Sequence, residues 1–340
     1  MEEAVIPGLA ESGNNAGNFC FYFADSSLKY VGYILGREYM KKRYNGTAIK
    51  TITAINRFFP HIMPRRPDSV AFADVRIEMD NAVAYLKKIN KERPEADRIK
   101  IFDLYLAAIH RLFLERPRLN RFIIGRTYYQ RNEHLYFFVS KREINDDAEE
   151  RTIGLNLGPR DDLFSVHRKT RAEILKSKTG TDDKNDEKAV EILMKFPRWM
   201  VKGIASLMHR LDQSNLMPKS LASTDSLHGS AYIANLGSFG VTNPPYHHLY
   251  DWGDTSLFFC IGTLIKEAVV NQESGEIEVK TIVPMRVTVD ERITDGVYFN
   301  NSFEVFNDLF QHPEKLELIP ENAKNPYPGV EFKKKKKKNK

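Results

Sequence analysis

The stretch Val287-Thr-Val-Asp-Glu-Arg-Ile-Thr-Asp-Gly-Val-Tyr-Phe299 decides how the chain is read. Leading into it, Val283, Met285, Val287 and Val289 alternate with Arg286 and Thr288, the period of a strand with one apolar face. A charged turn, Asp290-Glu291-Arg292, breaks that strand. Past Asp295-Gly296 the period lengthens, and Phe303, Phe306, Leu309 and Phe310 recur at helical spacing. A rigid strand that hands charged side chains to a turn in front of a helix can hold chemistry in place.

Working outward, residues 230–241 and 256–264 read as strands, and a hairpin around Glu273-Ser-Gly-Glu276 leads into the motif strand. Residues 188–213 carry amphipathic helix interrupted by Pro197, and 161–178 a helix with Leu163, Val166 and Ile174 inward. The charged run Thr179–Lys188 has no apolar anchor and reads as a loop. The clearest helix is 101–115, where Ile101, Leu104, Tyr105, Ala108, Ile109 and Leu112 hold the i, i+3, i+4 pattern until Pro117 stops it. Strands are expected near 70–79, 121–128, 134–142 and 150–160, with a helix over 81–90 capped by Asp80. Residues 28–60, with Tyr30, Ile34 and Tyr39 loosely periodic, read as helix-rich, and Met63-Pro-Arg-Arg-Pro-Asp-Ser69 reads as a turn. Helices and strands joined by both hairpins and crossovers make an α/β layered domain.

The chain has 340 residues, room for one large domain or two modest ones, and 42% apolar and 11% aromatic residues suffice for a core. No apolar run is long enough to span a membrane, and Met1-Glu-Glu-Ala lacks the basic start of a signal peptide. Cys20 and Cys260 offer neither a disulfide framework nor metal spacing, so the chain is expected to be cytoplasmic. The net charge of +6 is exceeded by the tail lysines 333–338 and 340, which leaves the body near neutral. Such a tail is expected to be solvated and can contact anionic surfaces non-specifically. Residues 1–27 have no assigned role, 28–320 form one domain, and 321–340 a flexible Lys-rich tail.

The run Asp290-Glu-Arg-Ile-Thr-Asp-Gly296 resembles the D-H-R-x-x-D-G segment of the acyltransferase (E2) subunits of 2-oxoacid dehydrogenase complexes, and the H-H-x-x-x-D-G of chloramphenicol acetyltransferase. Ala231-Tyr-Ile-Ala-Asn-Leu-Gly-Ser-Phe-Gly-Val241 is similar to the family's I-S-N-L-G-x-x-G, and Asn243-Pro-Pro245 to the N-P-P after it. The segment Phe102 to Phe122 is similar to the family's long helix followed by P-x-L-N and a strand. This chain inserts Tyr246-His-His-Leu-Tyr-Asp-Trp-Gly-Asp-Thr255 before its next strand, and no lipoyl domain or Pro/Ala-rich linker is seen. The resemblance covers roughly residues 65–318. It implies a chloramphenicol acetyltransferase-like two-layer sandwich, a mixed sheet with helices packed on one face. It also implies a homotrimer with sites between subunits, coenzyme A or acyl-CoA as substrate, an acceptor small molecule and dehydrogenase-complex partners.

In that family a histidine is the general base, and Glu291 stands in its place here. A thiol near about 8.5 and an imidazole near about 6.5 exchange protons readily at neutral pH, whereas an exposed glutamate titrates near about 4.3. Three readings stay open: burial re-tunes Glu291 as the base, His247 or His248 takes over, or the fold serves assembly or binding without the transfer step. The family pattern puts an oxyanion donor at Asn235 or Ser238, with Ala234 where many relatives carry a hydroxyl. It makes Asp295 structural, with Arg65, Arg66 or Arg292 as candidate partners. Gly296 fits a tight turn or close backbone approach, as does Gly237 in its motif. Two adjacent histidines on a strand point opposite ways and make a poor metal pair, so no metal is expected; Asp251 and Asp254 would join them only through loop folding.

Overall fold

The computed structural model describes residues 43–141, 150–179, 191–222 and 225–320. The 1–27 leader with Cys20, the 28–42 segment, most of the 179–188 loop and the 321–340 tail lie outside them. The described elements begin with β1 (Gly46–Ala48), α1 (Ala54–Ile62), β2 (Val70–Glu78), α2 (Asp80–Ile89) and α3 (Ile101–Glu115). Next come β3 (Arg121–Ile124), β4 (Thr127–Arg131), β5 (His134–Lys141), β6 (Glu150–Leu157), α4 (Leu163–Thr179), α5 (Arg198–Gln213) and α6 (Lys219–Ala222). The chain closes with β7 (Ala231–Asn235), β8 (Leu257–Ile261), β9 (Ile265–Val270), β10 (Ile277–Asp290) and α7 (Gly296–Gln311).

The main sheet has the order β2-β10-β8-β7-β5-β6, with β9 paired to the first part of β10. β10 is antiparallel to β2, β8 and β9, and β7 is parallel to both its neighbours. Parallel pairing demands crossovers, and the chain supplies them through α4 and α5 before β7 and through the 236–256 segment after it. A separate small sheet has the order β1-β4-β3.

β10 is the spine because its alternation is real. Met285 faces Val75 on β2 and Ile261 on β8. Val283, Met285, Val287 and Val289 all enter the core, against Leu104, Ile109 and Phe113 of α3 and Phe306, Leu309 and Phe310 of α7. Each such side chain removed from water contributes roughly 1.5–3 kcal/mol. Among the described residues the sheet's other face carries no helix of that core. There Leu249 of the 241–256 loop lies with Phe258 and Cys260, backed by Val70, Tyr232 and Ala234. Burial pushes the Cys260 thiol up to about 11, in keeping with a core residue. Among the described residues no helix is long and apolar enough to cross a membrane.

Several expectations change at this level. The strand expected over 121–128 is a hairpin of β3 and β4, turning at Gly125 and Arg126, both with positive φ (53° and 62°). Two left-handed residues match the twist of the flanking strands, a geometry that one glycine in an apolar run does not announce. Asp80 does not cap α2: it is the first helical residue, and its carboxylate accepts from Thr281 N (2.9 Å) and Thr281 Oγ1 (2.5 Å), tying α2 to β10. The helix-rich reading of 28–60 gives way, within residues 43–62, to β1 followed by α1.

Candidate active site

The turn after β10 is built on Asp290, which is fully buried. Its Oδ1 accepts from Ser69 Oγ (3.0 Å) and Arg292 Nε (2.8 Å), and its Oδ2 from Arg292 Nη2 (2.7 Å). Arg292 Nη1 donates onward to Met63 O (2.7 Å), at the end of α1. Arg66 comes within 3.9 Å of Asp290 Oδ2 and donates to Tyr250 O (2.7 Å) and Gly253 O (2.8 Å), clamping the 250–253 loop. Burial pulls the Arg66 guanidinium below its ordinary value, and Asp290 works against that. Glu291 therefore sits between two residues locked by charge-assisted hydrogen bonds, with its own side chain exposed.

Asp295 takes a different partner from those expected. Its Oδ1 accepts from Tyr298 N (2.9 Å), which makes it the N-cap of α7, and its Oδ2 lies 3.5 Å from Arg118 Nη1. The side chain is 62% exposed, so the contact is a surface one. Of the arginines proposed from sequence, Arg65 pairs with Asp68 (2.7 Å), while Arg66 and Arg292 belong to Asp290. A Cβ on Gly296 would meet nothing within 4 Å, so no close approach within the protomer requires this glycine. Gly237 is the opposite case: a Cβ there would lie 2.4 Å from Gly262 O.

Asn235 and Ser238 lie at the far end of the sheet. Asn235 ends β7 opposite Ile261, which pairs with Met285. Met285 stands five residues before Asp290, so the two ends lie about 17 Å apart along the strand, at roughly 3.4 Å per residue. Ser238 Oγ donates to Asn235 O (3.0 Å) and is exposed. One protomer does not bring Glu291 to Asn235 or Ser238.

His247 and His248 lie between those ends, over the outer face. Their rings stack on each other (4.7 Å, 16°) rather than diverging, because a loop and not a strand carries them. The His247 ring also lies flat on Phe258 at 3.9 Å, and its Nδ1 is 2.7 Å from His248 O. Burial lowers its pKa. The nearby Asp254 is already taken, by Arg131 Nη2 (2.6 Å), Asn45 Nδ2 (2.8 Å) and Arg43 Nη2 (3.2 Å). Burial would raise its carboxyl, but Arg131, His228 and Arg43 hold it well below the usual range. Among the described residues no group of three or more His, Cys, Asp or Glu could hold a metal.

Ser69 and Arg118 were not singled out as parts of this region, and Asp290 was read only as one residue of a charged turn. Asp290 had a legible signal, since the alternation that sends Val289 inward sends Asp290 outward, toward whatever covers that face. The cover comes from residues 66–69 and 250–253, remote in sequence, and periodicity does not reveal it.

The Ala231–Gly240 and Asp290–Gly296 motifs lie at opposite ends of this sheet. The profile of the 2-oxoacid dehydrogenase acyltransferase catalytic domain matches residues 196–318. A probable dihydrolipoamide acetyltransferase from Listeria monocytogenes superposes with a TM-score of 0.50 at 13% identity, covering 77% of this chain and 94% of that one. The Azotobacter vinelandii dihydrolipoamide acetyltransferase (TM-score 0.45, 11% identity, 73% and 84% covered) is a further match. So is a chloramphenicol acetyltransferase (TM-score 0.46, 10% identity, 78% and 98% covered). No curated protein sequence matches the chain. The chain resembles the 2-oxoacid dehydrogenase acyltransferase catalytic domain and shares the α/β fold of the Listeria protein, a mixed sheet with helices.

Proposed function

We propose that this chain is an acyltransferase of the E2 catalytic type, moving an acyl group between coenzyme A and an acceptor, with Glu291 as general base. The observation that carries the reading is the locked turn: Asp290 and Arg292 are buried and paired on either side of an exposed Glu291. The turn fixes the Glu291 backbone, but its side chain is exposed in one protomer, so the burial that would re-tune it as a base has to come from a second copy. In this reading Asn235 or Ser238 stabilises the oxyanion, Asp295 and Gly296 shape the start of α7, and His247 and His248 belong to the loop covering the sheet. The separation of Glu291 from Asn235 requires a second copy to complete the site, which accords with a homotrimer. The domain is taken as residues 28–320, cytoplasmic, with its acyl carrier or dehydrogenase partner supplied by another chain.

Glu291→Gln is the test. Calorimetric titration with CoA and acetyl-CoA should give one micromolar site per subunit in both proteins. Release of free CoA thiol from acetyl-CoA, as the acetyl group passes to a supplied amine or hydroxyl acceptor, should fall by about 10²–10⁴-fold in the variant. Undiminished release excludes Glu291 as the base.

A second reading is a non-catalytic oligomeric module of the same fold that binds CoA, an acyl group or a protein. It is favoured by the carboxylate standing where the family's imidazole would be, and by Ala234 lying packed behind the Phe258 cluster, where no hydroxyl is presented. CoA binding without thiol release in either protein supports this reading over the first.

A further inference from the structure

The segment that enters α5 turns large apolar side chains to solvent. Ile192, Met194 and Phe196 are 57%, 67% and 45% exposed, and Trp199 in the first helical turn is 74% exposed. Single exposed hydrophobics are ordinary, but four within eight residues form a patch. The inner strip of α5, Val201, Ile204, Met208 and Leu211, already leans half-buried on the opposite side of the helix, so rolling α5 would not hide Trp199 without exposing that strip.

The exposed charges between these side chains have one sign. Lys195, Arg198 and Lys202 interleave with the patch, and Arg210 and Lys219 follow. Among the described residues of 191–222 the acids are Glu191 and Asp212, and Asp212 is buried against Arg43 at 2.6 Å. The acids at 182, 183, 186 and 187 lie outside the described residues, so binding measured on the full chain includes their opposition. A second copy meeting this patch about a twofold axis would set bases against bases, whereas in a homotrimer the patch would meet a different surface of the next copy, the case that burial of Trp199 by self-association without vesicles would reveal. Phe196 and Trp199 offer flat faces, but the aliphatic Ile192 and Met194 that make up the other half of the patch give a base nothing to stack on, so single-stranded nucleic acid fits less well. Aliphatic and indole side chains interleaved with Lys and Arg suit the headgroup boundary of an anionic bilayer, where the apolar groups enter and the bases meet phosphates.

We propose that residues 191–202 form a peripheral anchor for an anionic phospholipid surface. The probe is vesicles of phosphatidylcholine with about 30% phosphatidylserine, against pure phosphatidylcholine, using the full chain. The protein should float with the anionic vesicles only, and the affinity should fall about tenfold between 0.1 and 0.5 M salt. The chain has two tryptophans. Brominated lipid should quench wild type and leave Trp199→Phe, where Trp252 alone reports, unquenched. The Ile192→Ser/Trp199→Ser variant should bind at least tenfold more weakly with an unchanged circular dichroism spectrum. Because lysines 333–338 also attract anions, a chain with these six replaced by serine must still float. Three outcomes overturn the proposal: flotation lost with the tail lysines alone, flotation indifferent to Ile192→Ser/Trp199→Ser, or Trp199 already buried by self-association without vesicles.

Discussion

Asp290 and Glu291 are neighbours with opposite surroundings, and the difference sets what each tolerates. Asp290 is dry and paired in two-pronged fashion with Arg292, so removing one charge strands the other. Asp290→Asn or Arg292→Ala should cost about 3–5 kcal/mol, read as a lower urea midpoint with an unchanged slope. Glu291→Gln, at an exposed position, should stay within about 0.5 kcal/mol of wild type, so any loss of activity in that variant is chemical rather than structural. If Asp290→Asn is as stable as wild type, the turn is held by packing and not by the ion pair. The importance of Asp290 was only half legible in the sequence. It was read as the start of a charged turn, whereas β10 runs through it, and Ser69, Arg66 and the 250–253 loop that bury it come from distant segments. Asp295 was read as structural by resemblance, with Arg65, Arg66 or Arg292 as partner; here it caps α7 and its neighbouring arginine is Arg118, at the surface.

Elements were legible where one period ran uninterrupted. Helix 101–115 appears with the expected bounds because its apolar spacing is regular and Pro117 ends it. β10 is likewise read correctly on its inner face. The β3–β4 hairpin was not, since Arg126 in a left-handed conformation has no residue signature of its own. The turn after β7 is the element on which the second half of the site depends. Gly237 there presses on the backbone of Gly262, itself bonded to Pro284 O on β10 at 2.9 Å. Gly237→Ala forces backbone against backbone and should cost about 1–3 kcal/mol, moving Asn235 and Ser238 with the turn. Gly296→Ala, where a Cβ meets open space, should leave protomer stability unchanged. Differential scanning calorimetry on the pair separates the two cases. A change in assembly mass with Gly296→Ala would place that glycine at a contact between copies.

At the scale of the whole molecule, buried histidines of opposite character set the pH range of the fold. His110 and His134 pack edge to face at 5.3 Å, and His110 Nε2 is 2.9 Å from Gly158 O. Burial pushes His110 down to about 4, and burial with His110 and Arg131 nearby pushes His134 down to about 3. An unfolded histidine titrates near about 6.5, so between those values the unfolded chain binds more protons. Their contribution is complete above about 6.5 and is lost as the pH falls toward 4 and 3. His228 runs the other way. It joins α5 to the loop before β7, 3.5 Å from Asp212 and 3.2 Å from Asp225. Burial opposes its charge, but Asp254, Asp212 and Asp225 together push it up to about 9. Its contribution is complete below about 6.5 and is lost as the pH rises through about 9. Each histidine supplies a slope of up to about 1.4 kcal/mol per pH unit, so stability should peak near pH 6.5 and fall on both sides. Asp254, held low by the same cluster, steepens the acid side. His228→Gln should flatten the alkaline slope and leave the acid slope intact, as read from melting temperatures between pH 4 and 9.5. An alkaline slope that survives His228→Gln would mean that another group carries it and that His228 is uncharged in the fold.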